Sequence, residues 1–245
     1  MKKYLCYFSV ILLLGIGTLP VISDINSYNV HENDKSGNSI KINSDEKILF
    51  IVDFSNSMND YLGSRKKIDV AISSLSTIAG KLNPSTKTGL RVYGHKHGFN
   101  PFLGCTATNL ISPIMPNNTR NIYAQLSQIS PNGWTPITRS LKQAVNNDFA
   151  NIDGDKRIIL LTDGGENCDE SPCEYAIQLV QTRDDIKIDV IALAINDPIA
   201  EDQLKCTALA TSGKIYHAND AAALETVLGE ILNVTTDVQG TIIKK

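Results

Sequence analysis

Five oxygen-bearing residues stand at spacings that suit a hard cation. Asp53, Ser55 and Ser57 alternate in Asp53-Phe54-Ser55-Asn56-Ser57. Thr135 lies in Gly133-Trp134-Thr135-Pro136-Ile137, and Asp163 opens Asp163-Gly164-Gly165. Two carboxylates and three hydroxyls include no soft donor, which favours Mg2+, with Mn2+ or Ca2+ as variants. Mg2+ demands octahedral geometry and tends to keep water. The side chains therefore leave at least one position for water or for a partner's oxygen. On a turn leaving a strand, residues two apart point to one side, so Ser55 and Ser57 can both face one ion. Gly164 and Gly165 are expected to clear space for a close approach.

The elements around these residues read as strands that deliver them. Ile48-Leu49-Phe50-Ile51-Val52 is a continuous apolar run ending at Asp53, and Arg157 to Thr162 is a second ending at Asp163. Such runs suit central strands covered on both faces. Further strands are expected over 89–94, 105–111, 186–195 and 214–217, with the 105–111 strand antiparallel to its neighbour. Apolar spacing predicts helices over 66–82, 118–129, 137–149, 172–184, 199–211 and 220–232, with Pro136 and Pro172 in first turns. The alternation implies an α/β fold: a Rossmann-like, doubly wound, mostly parallel sheet with one antiparallel edge strand and helices on both faces. Ligands of such sheets bind beyond the carboxyl ends of the strands. Ser and Asp also cap helices; the second strand-end aspartate and the Thr135-Pro136 loop tip the reading toward metal.

Together these segments resemble the metal-ion-dependent adhesion site of von Willebrand factor type A domains. The likeness runs over roughly residues 45–234. Leu160 to Cys168 with Pro172-Cys173, Arg91 to His95, and Gly133 to Ile137 are similar to a secreted bacterial branch of that family. The resemblance implies that Ser55, Ser57 and Thr135 contact the metal and that Asp53 and Asp163 reach it directly or through water. It also implies that an Asp or Glu of a protein ligand completes the shell. Many members carry Gly at the position of Asn56, which is expected to tolerate the left-handed backbone needed there.

Residues 1–23 read as a secretory signal peptide: Lys2 and Lys3, an apolar stretch from Leu5 to Leu14, then small or helix-breaking residues. The stretch is shorter than the roughly 18–20 residues of a spanning helix, so no membrane span is expected in the mature chain. A polar spacer (24–45), the domain itself (46–234) and a tail (235–245) follow. Export, to the periplasm or beyond the cell, makes the four remaining cysteines two disulfides. Their spacing argues against zinc knuckles. With the family's strand order 3-2-1-4-5-6, Cys105 and Cys206 fall on opposite sides of the sheet, beyond disulfide reach. That order implies Cys173–Cys206 and Cys105–Cys168.

A net charge of −3 gives no footprint for nucleic acid. An enzyme of the haloacid dehalogenase type would need a second carboxylate where Ser55 stands, and no hydrolase elbow, phosphate loop or zinc-protease motif is present. The chain is therefore read as a binding module and not an enzyme, with a metal-dependent phosphohydrolase-like enzyme or a metal-free structural subunit of an envelope complex as alternatives. The remaining features are expected to be incidental: His95 and His97 on a solvated loop, Glu166 in solvent, and Asn117-Asn118-Thr119 as a polar turn. Trp134 fits an exposed anchor and a lid on the loops equally well.

Overall fold

The computed structural model describes residues 46–96 and 100–233; the expected signal peptide (1–23), spacer (24–45) and tail (235–245) lie outside them. Strand β1 (Lys47–Asp53) is buried along its whole length. It pairs in parallel with β2 (Lys87–Tyr93) on one edge and with β4 (Lys156–Thr162) on the other. A strand with neighbours on both edges and helices on both faces needs apolar side chains throughout. Beyond β2 lies β3 (Thr108–Met115), antiparallel. Beyond β4 lie β5 (Ile186–Leu193) and β6 (Ile215–Ala218), both parallel. The order across the sheet is β3-β2-β1-β4-β5-β6.

Alternate residues of β1 feed two separate cores. Ile48, Phe50 and Val52 pack with Ile68 and Leu75 of α1 (Lys67–Ala79), Ile122 of α2 (Thr119–Leu126), and Leu224 and Leu228 of α6 (Ala221–Ile231). Leu49 and Ile51 pack with Ile137 and Leu141 of α3 (Ile137–Gln143), Leu179 of α4 (Pro172–Leu179), and Leu204 of α5 (Pro198–Ala210). The doubly wound fold expected from the strand–helix alternation is the fold found. Local chemistry starts three of these helices. Ser171, Asp197 and Asp220 accept backbone N–H bonds at the heads of α4, α5 and α6, and Pro172 and Pro198 occupy first positions.

The departures have local causes. β3 begins at Thr108 and not at Cys105, because Pro101–Gly104 forms one helical turn and the amide of Ala107 closes back on Gly104 O at 3.1 Å. It continues to Met115 through Pro113, which an edge strand tolerates. α3 ends at Gln143 and passes into a wider π turn over Ala144–Asp148. From that turn Asp148 meets Arg91 of β2 in a bidentate pair at 2.7 and 2.8 Å. A ribbon of Tyr61–Leu62 with Arg65–Lys66, too short to show periodicity, precedes α1. The structure joins Cys105 to Cys168 and Cys173 to Cys206, with Cα separations of 5.5 and 5.3 Å.

Asn118 is not part of an ordinary polar turn. Its side chain is buried, donating to Thr88 O and Pro113 O at 2.7 Å each and accepting from Ser112 Oγ at 2.9 Å. It thereby fastens the head of α2 to the edge strand β3 and to its neighbour β2. Asn118→Ala strands these partners in a dry site and is expected to cost about 2–4 kcal/mol. Urea unfolding measures this; a loss below about 1 kcal/mol would show that water replaces the amide.

Candidate functional site

Because β1 and β4 are neighbours and end together, Asp53 and Asp163 leave the same edge of the sheet. Asp53 Oδ1 accepts the amide of Ser55 at 2.6 Å, and its Oδ2 accepts the hydroxyl of Thr162 at 2.8 Å. Ser55 Oγ lies 3.1 Å from Ser57 Oγ, which donates to Asp163 Oδ1 at 2.7 Å. The second oxygen of Asp163 accepts from Lys67 Nζ at 2.8 Å. Four of the five expected residues are thus linked in one hydrogen-bonded chain.

The local sequence dictates this turn. Phe54 and Met58 are fully buried in the core beneath α1, which leaves Ser55 and Ser57 on the opposite side. Ser55 occupies the position before a 3-10 turn, Asn56–Asn59, yet its side chain makes no capping bond. The hydroxyl is free of that structural duty. Asn56 lies inside this turn and does not take the expected left-handed backbone. Gly94 is where backbone freedom matters. Its φ is +72°, and a Cβ there would stand 2.5 Å from the amide nitrogen of Ser55. Gly165 packs tightly against Ala200 of α5, whereas Gly164 has open space beside it.

The loop that carries Thr135 is joined to the turn after β1 through the backbone of Asn132 and Gly133. Gly133 pairs with Ser55 in a parallel bridge, the amide of Asn56 donates to Gly133 O at 3.0 Å, and that of Asn132 to Phe54 O at 3.1 Å. Thr135 is buried, and its amide donates to Asn167 Oδ1 at 2.7 Å. Its hydroxyl does not join the chain that links the other four. The loop after Asp163 is fastened by Glu166, which is half-buried and not solvated. Its carboxylate accepts Thr138 N at 2.7 Å and Cys168 N at 3.0 Å, so it caps α3 from another loop. The uncapped start of α3, at Pro136-Ile137-Thr138, was the available signal for such a partner. The half-buried indole of Trp134 packs against Gly104, in the turn before β3. His95 is half-buried and pairs through Nε2 with Asn109 Oδ1 at 3.0 Å, so it is not a solvated loop residue; His97 lies outside the described residues.

Burial, and then the charge of Asp163, push the Asp53 carboxyl up to about 6. Its strand partner Tyr93 is fully buried beside it, and burial and the Asp53 charge push the phenol well above its ordinary range. The Tyr93 hydroxyl makes no well-aligned hydrogen bond among the described residues. Two adjoining carboxylates, two hydroxyls without other duty and an orphaned phenol suit a small hard cation and its water. Among the described residues no three His, Cys, Asp or Glu side chains converge. Any cation held here would therefore need hydroxyl oxygens beside the two carboxylates.

The sequence profile of the von Willebrand factor type A domain matches residues 47–230. The Bacillus subtilis protein YwmD is 30% identical over 187 residues, covering 74% of this chain and 82% of its own. An aerotolerance-related membrane protein of Bacteroides fragilis superposes with a TM-score of 0.59 at 17% identity, over 78% of this chain and 99% of its own. Proximal thread matrix protein 1 of the mussel byssus, solved with a zinc-occupied MIDAS motif, gives 0.59 at 17% identity, over 77% of this chain and 45% of its own.

The raised Asp53 carboxyl sets a pH window. Its protonation stabilises the cation-free fold at low pH, and that gain is lost as pH rises through about 6. A divalent cation bound at Asp53 would compete with that proton. Melting curves with and without Mg2+ are expected to separate clearly at pH 7.5 and to merge at pH 5. A cation-induced shift that was equal at both values would remove Asp53 from the coordinating set.

Proposed function

The chain belongs to the von Willebrand factor type A domain family, and from that premise we propose that it is an exported binding module that holds a protein ligand through a divalent cation. In this reading Asp53, Ser55, Ser57, Thr135 and Asp163 supply the protein's oxygens. Mg2+ is the first candidate, with Mn2+ and Ca2+ as variants, because the set contains only hard donors. The position left over takes an exposed Asp or Glu of the ligand. When bound, the cation supplies a Lewis-acidic centre that a carboxylate can reach. The protein supplies the rest: two fixed carboxylates, hydroxyls aimed between them, and loops braced so that little order is lost on binding.

One observation carries this reading. The chain Ser55–Ser57–Asp163 lies beside the buried Asp53 at the carboxyl edge of two adjacent strands, with the Ser55 side chain not spent on capping. The mussel protein's zinc-occupied motif supports a divalent metal in this family, and zinc belongs in the test series. No helix among the described residues is long and apolar enough to cross a membrane. Export and the leading signal peptide remain part of the proposal. So does the absence of catalysis, since no second carboxylate stands at position 55 for acid–base work.

Calorimetric titration of the chelator-treated protein with Mg2+, Mn2+, Ca2+ and Zn2+ is expected to show one site. Asp53→Ala removes a fully buried charge and should weaken that site by at least about tenfold, or 1.4 kcal/mol. Capture of an envelope or medium protein should then depend on the cation and fail for Asp53→Ala and in EDTA. Uptake of no cation by the folded protein would sink this reading.

A further inference from the structure

Lys67 is the first residue of α1 and follows Lys66 at the helix head. Two cations there oppose the helix dipole, and α1 begins without a side-chain cap. Local helix chemistry thus gives no reason for a lysine at this position. Its surroundings do. Lys67 Nζ donates to Asp163 Oδ2 at 2.8 Å, with the lysine side chain 14% exposed and the carboxylate 0%. The chain is arranged to bring it there. The ribbon Tyr61–Lys66 folds back on itself, and the amide of Lys67 donates to Asp60 O at 2.9 Å, three residues beyond Ser57. Its neighbours turn elsewhere: Lys66 Nζ donates to Asn59 Oδ1, and Arg65 to Asp69 O and Ser73 Oγ. Among the described residues, Lys67 is the cation bonded to either carboxylate of the site.

We propose that Lys67 is a tethered cation that competes with the divalent ion for Asp163. It steadies the pair of carboxylates when no metal is bound, and it raises the free cation concentration needed to load the site. The inference rests on the cation-binding reading above. The physical basis is direct. An ammonium and a divalent ion on one carboxylate repel each other, and the ammonium holds an oxygen whose lone pairs the ion would use. Loading therefore requires Lys67 to give up or loosen a charge-assisted hydrogen bond. A site built this way stays folded while empty and fills only where divalent cation is plentiful.

The test uses the full chain, stripped with EDTA and held at one pH near 7.5. Wild type, Lys67→Met and Lys67→Gln are titrated with Mg2+ alone by calorimetry and melted in EDTA. Lys67→Met keeps the apolar stem without the charge, and Lys67→Gln keeps a donor, so one of them serves if the other folds poorly. Both are expected to bind Mg2+ more tightly, on the order of tenfold for the Met variant. Both should melt lower than wild type in EDTA and recover with Mg2+. Wild-type binding with unchanged or weaker binding by both variants would overturn the proposal and leave the cation reading standing. Absence of binding by all three proteins would overturn both.

Discussion

Two carboxylates held side by side at the end of two buried, adjacent strands are the constraint on which the rest of this structure depends. The register that aligns β1 with β4 is set by apolar burial on both faces, and it fixes Asp53 and Asp163 together whatever their charges prefer. Water cannot relieve the repulsion at Asp53, which is fully buried. The local architecture answers that problem with donors: the amide of Ser55, the hydroxyls of Thr162 and Ser57, and the ammonium of Lys67. Packing energy from the two cores thus holds an electrostatically unfavourable arrangement in place.

The same constraint explains why three loops are stitched so closely. A cation held as proposed would need its oxygens fixed to within about 0.5 Å, which loops alone do not provide. Here the turn after β1 is bonded through its backbone to Asn132 and Gly133, and the Thr135 segment is bonded in turn to Asn167. Glu166 ties the head of α3 to the loop after β4, and the Cys105–Cys168 disulfide ties that loop to the segment before β3. Each tie links residues far apart in sequence and joins the loops to one another at the sheet edge.

What could be read from sequence follows from range. Continuous apolar runs announced β1 and β4, and their terminal aspartates announced the site, because burial on both faces leaves a local signature. The Asp-x-Ser-x-Ser spacing was legible for the same reason. Glu166, Asn118 and Lys67 were not. Glu166 and Asn118 look like ordinary polar residues, and their roles come from partners 28 and 30 positions away, Thr138 and Thr88. Lys67 sits at an apparently unremarkable helix start, and its partner is 96 positions distant. The ribbon that aims it is two residues per strand, shorter than any periodicity can register. The misplaced start of β3 has a different origin: Cys105, Thr106 and Ala107 are taken up by the turn that follows Pro101–Gly104, where the amides of Thr106 and Ala107 close back on Leu103 O and Gly104 O.

How the protein treats its other buried acids bears on what Asp53 is for. Asp189 is fully buried and meets Arg157 Nε at 2.6 Å and the amide of Lys214 at 2.8 Å. Asp148 meets Arg91 through both oxygens, with both side chains almost entirely enclosed. In each case the chain supplies a full positive charge within bonding distance, as a buried carboxylate requires. Asp163 receives Lys67. Asp53 receives only neutral donors, although it is as deeply buried as Asp189 and lies beside another acid. Removing a stable fold's carboxylate from water without a counter-charge is costly, and this sequence shows elsewhere that it has guanidinium groups to spend on the problem. Among the described residues, the deep acid left without a cation of its own is the one that opens the Asp-x-Ser-x-Ser turn, where a divalent ion would provide the missing charge.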